Sequence, residues 1–323
     1  MRRKILKAVD LAIASVLPPV DHDTDALVVL AFHSVLQDQA EGADTAIDPF
    51  QPLTLADVES VATRMLARGY RFVTGQDIAT GNLSGPAAWL TFDDGYANNL
   101  RLVPLLRRLG VPATIFVATA HTDSGQSFWW DVLYRESLKA GVAPDEIAAR
   151  REALKALPPQ AIHTELVTQF GAAAFRPVGE LDRPMTAEEL VRLTAEPMIE
   201  IGNHTHLHTI LPVVDSKDQL ADITRCQERL TQITGKAPVA IAYPNGNHNE
   251  HSQAAAAQAG LSVGVTCTPR LTNLSDLQDQ QNRLTIGRFA GFRHGRIDRE
   301  LTLATSPYGL SRPRGARHLR KTG

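Results

Sequence analysis

The sequence predicts an α/β fold, a (β/α) barrel of about seven parallel strands interrupted by a helical insertion. Three observations carry this. Short apolar runs alternate with stretches of helical periodicity along most of the chain. Polar groups gather at the C-terminal ends of those runs, where parallel α/β folds place their sites. One long segment, about 119–185, breaks the alternation with consecutive helical patterns.

Composition sets the bounds. The chain has 323 residues, 43% apolar and 21% charged, an ordinary globular balance. A net charge of -2 gives no electrostatic reason to expect a nucleic-acid partner. The two cysteines, Cys226 and Cys267, form no Cys-x-x-Cys motif and read as buried free thiols.

The elements follow in order. Residues 1–20 place Ile5, Leu6, Val9, Ile13, Val16 and Leu17 near helical spacing, an amphipathic helix closed by Pro18-Pro19. Lys7 and Asp10 interrupt what would otherwise resemble a signal peptide, so a cytoplasmic location is expected. The helix is read as packing on the domain, with peripheral membrane contact as the second reading. The domain spans 21–305. Ala26–His33 is a buried apolar strand ending on a histidine, and residues 54–69 form a helix capped by Thr54. Arg71–Thr74 and Ala87–Phe92 are strands, the second running into Asp93-Asp94-Gly95. A helix over 98–109, a strand over 112–118 and the insertion come next. Then follow a helix over 187–193, a strand over 198–202 ending at Asn203-His204, and a helix over 216–233. A strand over 238–243 ends at Pro244-Asn245-Gly246. A helix over 249–259, a strand over 261–266 and a last strand near Thr285–Phe289 complete the alternation. The segment 306–323 is basic, lacks apolar pattern and reads as a disordered tail.

The strand ends carry His33, Asp93-Asp94, His204-Thr-His-Leu-His208 and Tyr243-Pro-Asn-Gly246. Adjacent carboxylates on a strand point to opposite sides, so one can bind a metal while the other stays free as a base; the plain alternative is an Asp-Asp-Gly turn. If 204–208 forms a helical turn, His204 and His208 share a face and can reach one metal, with His206 pointing elsewhere. Asp94, His204 and His208 make a donor set that leaves coordination positions open, as catalytic zinc requires.

These residues resemble the motifs of the polysaccharide deacetylase family, carbohydrate esterase family 4. Thr91-Phe-Asp-Asp-Gly95 is similar to its first motif, His204-Thr-x-x-His208 to its second and Tyr243-Pro-Asn-Gly246 to its third, while Pro112–Val117 resembles the strand after the first. The likeness spans roughly residues 27–290. It implies a distorted (β/α) barrel and zinc (Zn2+) or another divalent transition metal on Asp94, His204 and His208. It also implies Asp93 as general base and the backbone N–H of Asn245 as an oxyanion donor, with Tyr243 beside it. The expected activity is removal of an N-acetyl group from an amino sugar or polysaccharide, in surface-polysaccharide metabolism.

Two departures matter. No arginine opens the third motif, and Arg288 in Ile-Gly-Arg-Phe is the candidate to replace it. No late Leu-x-x-His motif supplies an acid; His294 is the single late histidine of the domain. However, Ala31-Phe-His-Ser-Val35 resembles the early Tyr-His motif of poly-N-acetylglucosamine deacetylases, which makes His33 the expected acid. Trp129, in Phe128-Trp-Trp-Asp131, is the candidate for stacking on sugar, against a plain role as core anchor. His248 and His251 read as a solvated helix start. Two other readings stay open: a deformylase or amidase on a small molecule or a nucleotide- or lipid-linked sugar, and an inactive carbohydrate-binding relative.

Overall fold

The structure, a computed structural model, describes residues 25–43 and 53–306. The expected N-terminal helix and the tail beyond residue 306 lie outside the described residues. In chain order the strands are β1 Ala26–Phe32, β2 Val35–Leu36, β3 Leu53–Thr54, β4 Arg71–Phe72, β5 Ala87–Phe92, β6 Ala113–Val117, β7 Ile199–Asn203, β8 Ala240–Ala242, β9 Val263–Val265 and β10 Thr272–Asn273. β2 and β3 pair with each other. The other eight form one sheet in the order β10-β1-β5-β6-β7-β8-β9, with β4 also on β5. Every pairing in that sheet is parallel except β10 on β1.

The sheet curls until its edges meet. Ile286 bridges Val265 of β9, and Phe289 bridges Leu30 of β1. The segment Ile286–Phe289 therefore completes a distorted barrel of seven staves: β1, β5, β6, β7, β8, β9 and this segment. Strand alternation sorts the side chains into two sets. Leu27, Val29, Ala87, Trp89, Phe116, Ala240, Ala242, Val263, Val265 and Ile286 pack together inside. Val28, Leu30, Phe32, Ala88, Leu90, Phe92, Ile115 and Val117 pack outward against helical residues such as Val58, Val61, Leu102, Leu106, Leu190 and Leu230.

Between β6 and β7 the chain forms the helices Thr119–Ser124, Trp129–Lys139, Pro144–Leu154 and Pro159–Phe170. They hold a core of their own, built on Val132, Leu133, Ile147, Leu154, Ile162, Leu166 and Phe175. The return segment is tied to the turn after β5: Met185 N–H donates to the Gly95 carbonyl at 2.9 Å, and Ala97 N–H to the Arg183 carbonyl at 3.0 Å. A buried Arg135–Asp182 ion pair at 2.6 Å braces the same region. Among the described residues, no helix is long and apolar enough to cross a membrane.

Candidate metal and catalytic site

Asp93 continues the inward row of β5 through Trp89 and Thr91. Arg288 extends inward from the closing segment beside Ile286. The two meet as a buried fork: Arg288 Nη1 to Asp93 Oδ1 at 2.7 Å and Nη2 to Oδ2 at 2.7 Å. Arg288 also donates to the Thr266 carbonyl at 3.0 Å and to Thr91 Oγ1 at 3.1 Å, which fixes the plane of the guanidinium. His33, just past β1, brings Nε2 to 4.0 Å from Asp93 Oδ2.

Asp94 leaves the strand. Its φ of 78° is left-handed and swings the carboxylate away from the Arg288 fork. Asp94 Oδ1 lies 3.3 Å from Nε2 of His204 and 3.3 Å from Nε2 of His208. The expected helical turn over 204–208 does not form. The histidines converge through an irregular loop with left-handed backbone at Thr205 (φ 61°) and His208 (φ 55°). Asn203, Thr205 and Asp222 hold that loop by accepting from Thr205 N–H, Thr209 N–H and Leu207 N–H. His206 turns aside to Thr119 Oγ1 at 2.8 Å.

The charge pattern follows from burial and neighbours. Burial favours a neutral Asp93, yet the Arg288 guanidinium, with His204 and His33, outweighs it and holds the carboxyl below its usual range. Burial likewise opposes ionisation of Asp94, and the two imidazoles override it. Burial pushes His208 down, whereas the two carboxylates raise His204 against burial.

The donor set fits a divalent metal. His204 Nδ1–H donates to the Ala242 carbonyl at 2.7 Å, which turns the Nε2 lone pair toward Asp94. Asp94 Oδ1 is buried with no hydrogen-bond partner among the described residues. The three ligand atoms, one from each residue, lie within 4.8 Å of one another. Such crowding favours a positive charge between them. Two nitrogens and one oxygen suit zinc or a similar ion with positions left open.

The remaining expected residues divide. Asn245 sits at the exposed tip of the turn after β8 with φ 56°. Tyr243 packs instead in an outward cluster with Leu211, Ile223, Ile241, Ala255 and Ala256. Its position is one residue out of phase with the inward Ala240 and Ala242. Trp129 joins the insertion core. It is Trp130 that reaches the site, its ring centroid 4.6 Å from that of His208. Helical phase explains the exchange: 129, 132 and 133 share one face, and that face is the insertion core. His294 is bound to Asp57 at 3.0 Å, at the N-terminus of the helix Leu55–Ala67, and does not join the site. Sequence reasoning also missed Tyr96, whose position directly after Asp-Asp-Gly was the available signal.

A family model for polysaccharide deacetylase matches residues 80–264, more than half of the chain. The chain belongs to the polysaccharide deacetylase family. Membership makes it a relative of carbohydrate-deacetylating hydrolases. Among solved structures, this polysaccharide deacetylase fold is shared with the Streptococcus pyogenes deacetylase PplD, solved with acetate. The TM-score is 0.54 at 16% identity, over 82% of this chain and 92% of that one. A de-N-acetylase from Aggregatibacter actinomycetemcomitans gives 0.56 at 17%, over 85% and 100%. IcaB from Ammonifex degensii gives 0.56 at 18%, over 87% and 98%. No curated protein sequence matches the chain.

Proposed function

We propose that this protein is a divalent-metal-dependent hydrolase that removes an N-acetyl group from an amino sugar within a carbohydrate, with zinc as the favoured ion. Surface-polysaccharide metabolism is the setting that a polymeric substrate suggests. The observation that carries the reading is the pairing of an Asp94–His204–His208 donor set with a neighbouring carboxylate, Asp93, held anionic by Arg288. One carboxylate is free to act as base only because the other faces the metal position.

A divalent ion held there supplies Lewis acidity toward water and the acyl oxygen. Asp93 accepts the proton of the attacking water. Arg288 keeps that carboxylate ionised and oriented. The backbone N–H of Asn245 serves the developing oxyanion. His33, beside the same carboxylate, delivers a proton to the departing amine. The likeness to a de-N-acetylase supports an amide rather than an ester as the bond cleaved.

Acetate release from a panel of N-acetylated mono- and oligosaccharides tests the substrate. Asp93→Asn is expected to lower turnover by about 10³-fold or more while zinc still binds. Near-normal turnover in that variant overturns the assignment of the base. Release of formate or a longer acyl group, with no acetate from any N-acetyl sugar, overturns the substrate.

A further inference from the structure

We propose that Trp130 is a positioning residue for the ligand His208, which makes the helical insertion part of the metal centre. The inference rests on the reading of Asp94, His204 and His208 as a metal site.

The two imidazoles are held by different means. A hydrogen bond from His204 Nδ1 to the Ala242 carbonyl fixes both the rotation and the tautomer of that ring. His208 Nδ1 is buried and has no hydrogen-bond partner among the described residues. A ligand histidine ordinarily donates its second nitrogen to a protein oxygen, and that bond sets the ring. His208 has ring contacts in its place: the indole of Trp130 at 4.6 Å and 57°, and His204 at 4.8 Å and 75°.

Trp130 is itself held by its neighbours. It stacks on Phe128 at 4.8 Å and 15°, and meets Trp129 edge-on at 5.5 Å. Its Nε1–H donates to Tyr96 Oη at 2.7 Å, and the Tyr96 hydroxyl donates to Asp131 Oδ2 at 2.6 Å. Tyr96 follows Asp94 by two residues. A single chain of contacts therefore runs from the turn that carries Asp94, through Tyr96 and Trp130, to the ring of His208. A flat, fixed indole limits rotation of that imidazole as a hydrogen bond would, without supplying an acceptor.

Metal-free protein titrated with zinc against a chromophoric chelator provides the test, with thermal unfolding of each metal-free variant as the measure of fold. Trp130→Ala is expected to weaken zinc by about 10- to 100-fold, and Trp130→Phe to stay within about threefold of the parent. Tyr96→Phe, which releases the indole, is expected to fall between them. Metal-free unfolding temperatures should remain close to that of the parent. Unchanged zinc affinity in Trp130→Ala overturns the inference, as does a loss matched by lower metal-free stability. If Trp130→Ala does not fold, Tyr96→Phe decides, and parental affinity there overturns it. A parent protein that binds no zinc overturns the metal reading itself. A parent that binds zinc equally well with either indole variant overturns the positioning role alone.

Discussion

Asp93 and Asp94 are neighbours in sequence and opposites in surroundings. Asp93 is buried in the barrel interior against a guanidinium; Asp94 is buried against two imidazoles. One left-handed residue, Asp94 itself, separates the two directions. Arg288 is the residue on which the base depends. An opposite charge at contact lowers a carboxyl pKa by about 1–3 units, so Arg288→Gln should raise that of Asp93 by a similar amount. A raised pKa leaves more Asp93 protonated at any given pH, so the acid limb of the kcat/KM profile should move to higher pH. Arg288→Lys keeps the charge but loses the fork, and should lower kcat with a smaller displacement of that limb. A profile unmoved in Arg288→Gln would show that Asp93 is not the group titrating. That the two aspartates face different surroundings was legible in the sequence, because adjacent strand residues point to opposite sides. Arg288 was legible only as a candidate, because its approach to Asp93 spans 195 residues and depends on barrel closure. Trp130 was not singled out, because a tandem pair hides its helical phase unless Val132 and Leu133 are included.

At the scale of elements, the site is built from strand ends and the turns that follow them. All four non-glycine residues with positive φ among the described residues, Asp94, Thr205, His208 and Asn245, lie in those turns. Such backbone costs about 1–3 kcal/mol per residue and persists where surrounding contacts over-determine it. Apolar runs made the strands easy to read, but a turn's handedness is set by tertiary contacts, and 204–208 was accordingly expected as a helical turn. The closing segment also read as a strand, yet only Ile286 and Phe289 pair; Arg288 between them is committed to Asp93. One glycine inside the barrel shows how tightly strands and site are coupled. Gly202 of β7 lies next to Phe116 of β6, and a Cβ there would fall 2.3 Å from the Phe116 ring. That ring lies 6.5 Å from His204 and 5.9 Å from the Arg288 guanidinium carbon. Gly202→Ala should therefore cost about 1–3 kcal/mol by overpacking, measured by denaturant unfolding. Adding Phe116→Leu should return much of that loss, because the two changes share one contact. Strict additivity in the double variant would show that the ring is not what excludes the methyl group.

For the whole molecule, the metal position joins parts that sequence separates widely. Asp94 follows β5, His204 and His208 follow β7, and β6 lies between those strands in the sheet. The insertion reaches the same point through Trp130. A cation bound there cross-links the first half of the barrel, the second half and the insertion, and it has no comparable site in the unfolded chain. Mass action then fixes the size of the effect. At free zinc about 100 times the dissociation constant, binding adds about 2.7 kcal/mol. A domain of this size shifts its unfolding temperature by roughly 2–4 °C per kcal/mol, so zinc should raise the Tm by about 5–10 °C over chelator-treated protein. The shift should vanish in His208→Ala, which removes a ligand at the partly exposed edge of the site. It should persist in Asp93→Asn, which leaves all three donors in place. A zinc-dependent shift of equal size in His208→Ala would place the cation elsewhere. Loss of the shift in Asp93→Asn would make Asp93 a ligand rather than a base. Calorimetry of the three proteins, with and without chelator, thus separates metal binding from catalysis without any substrate in hand.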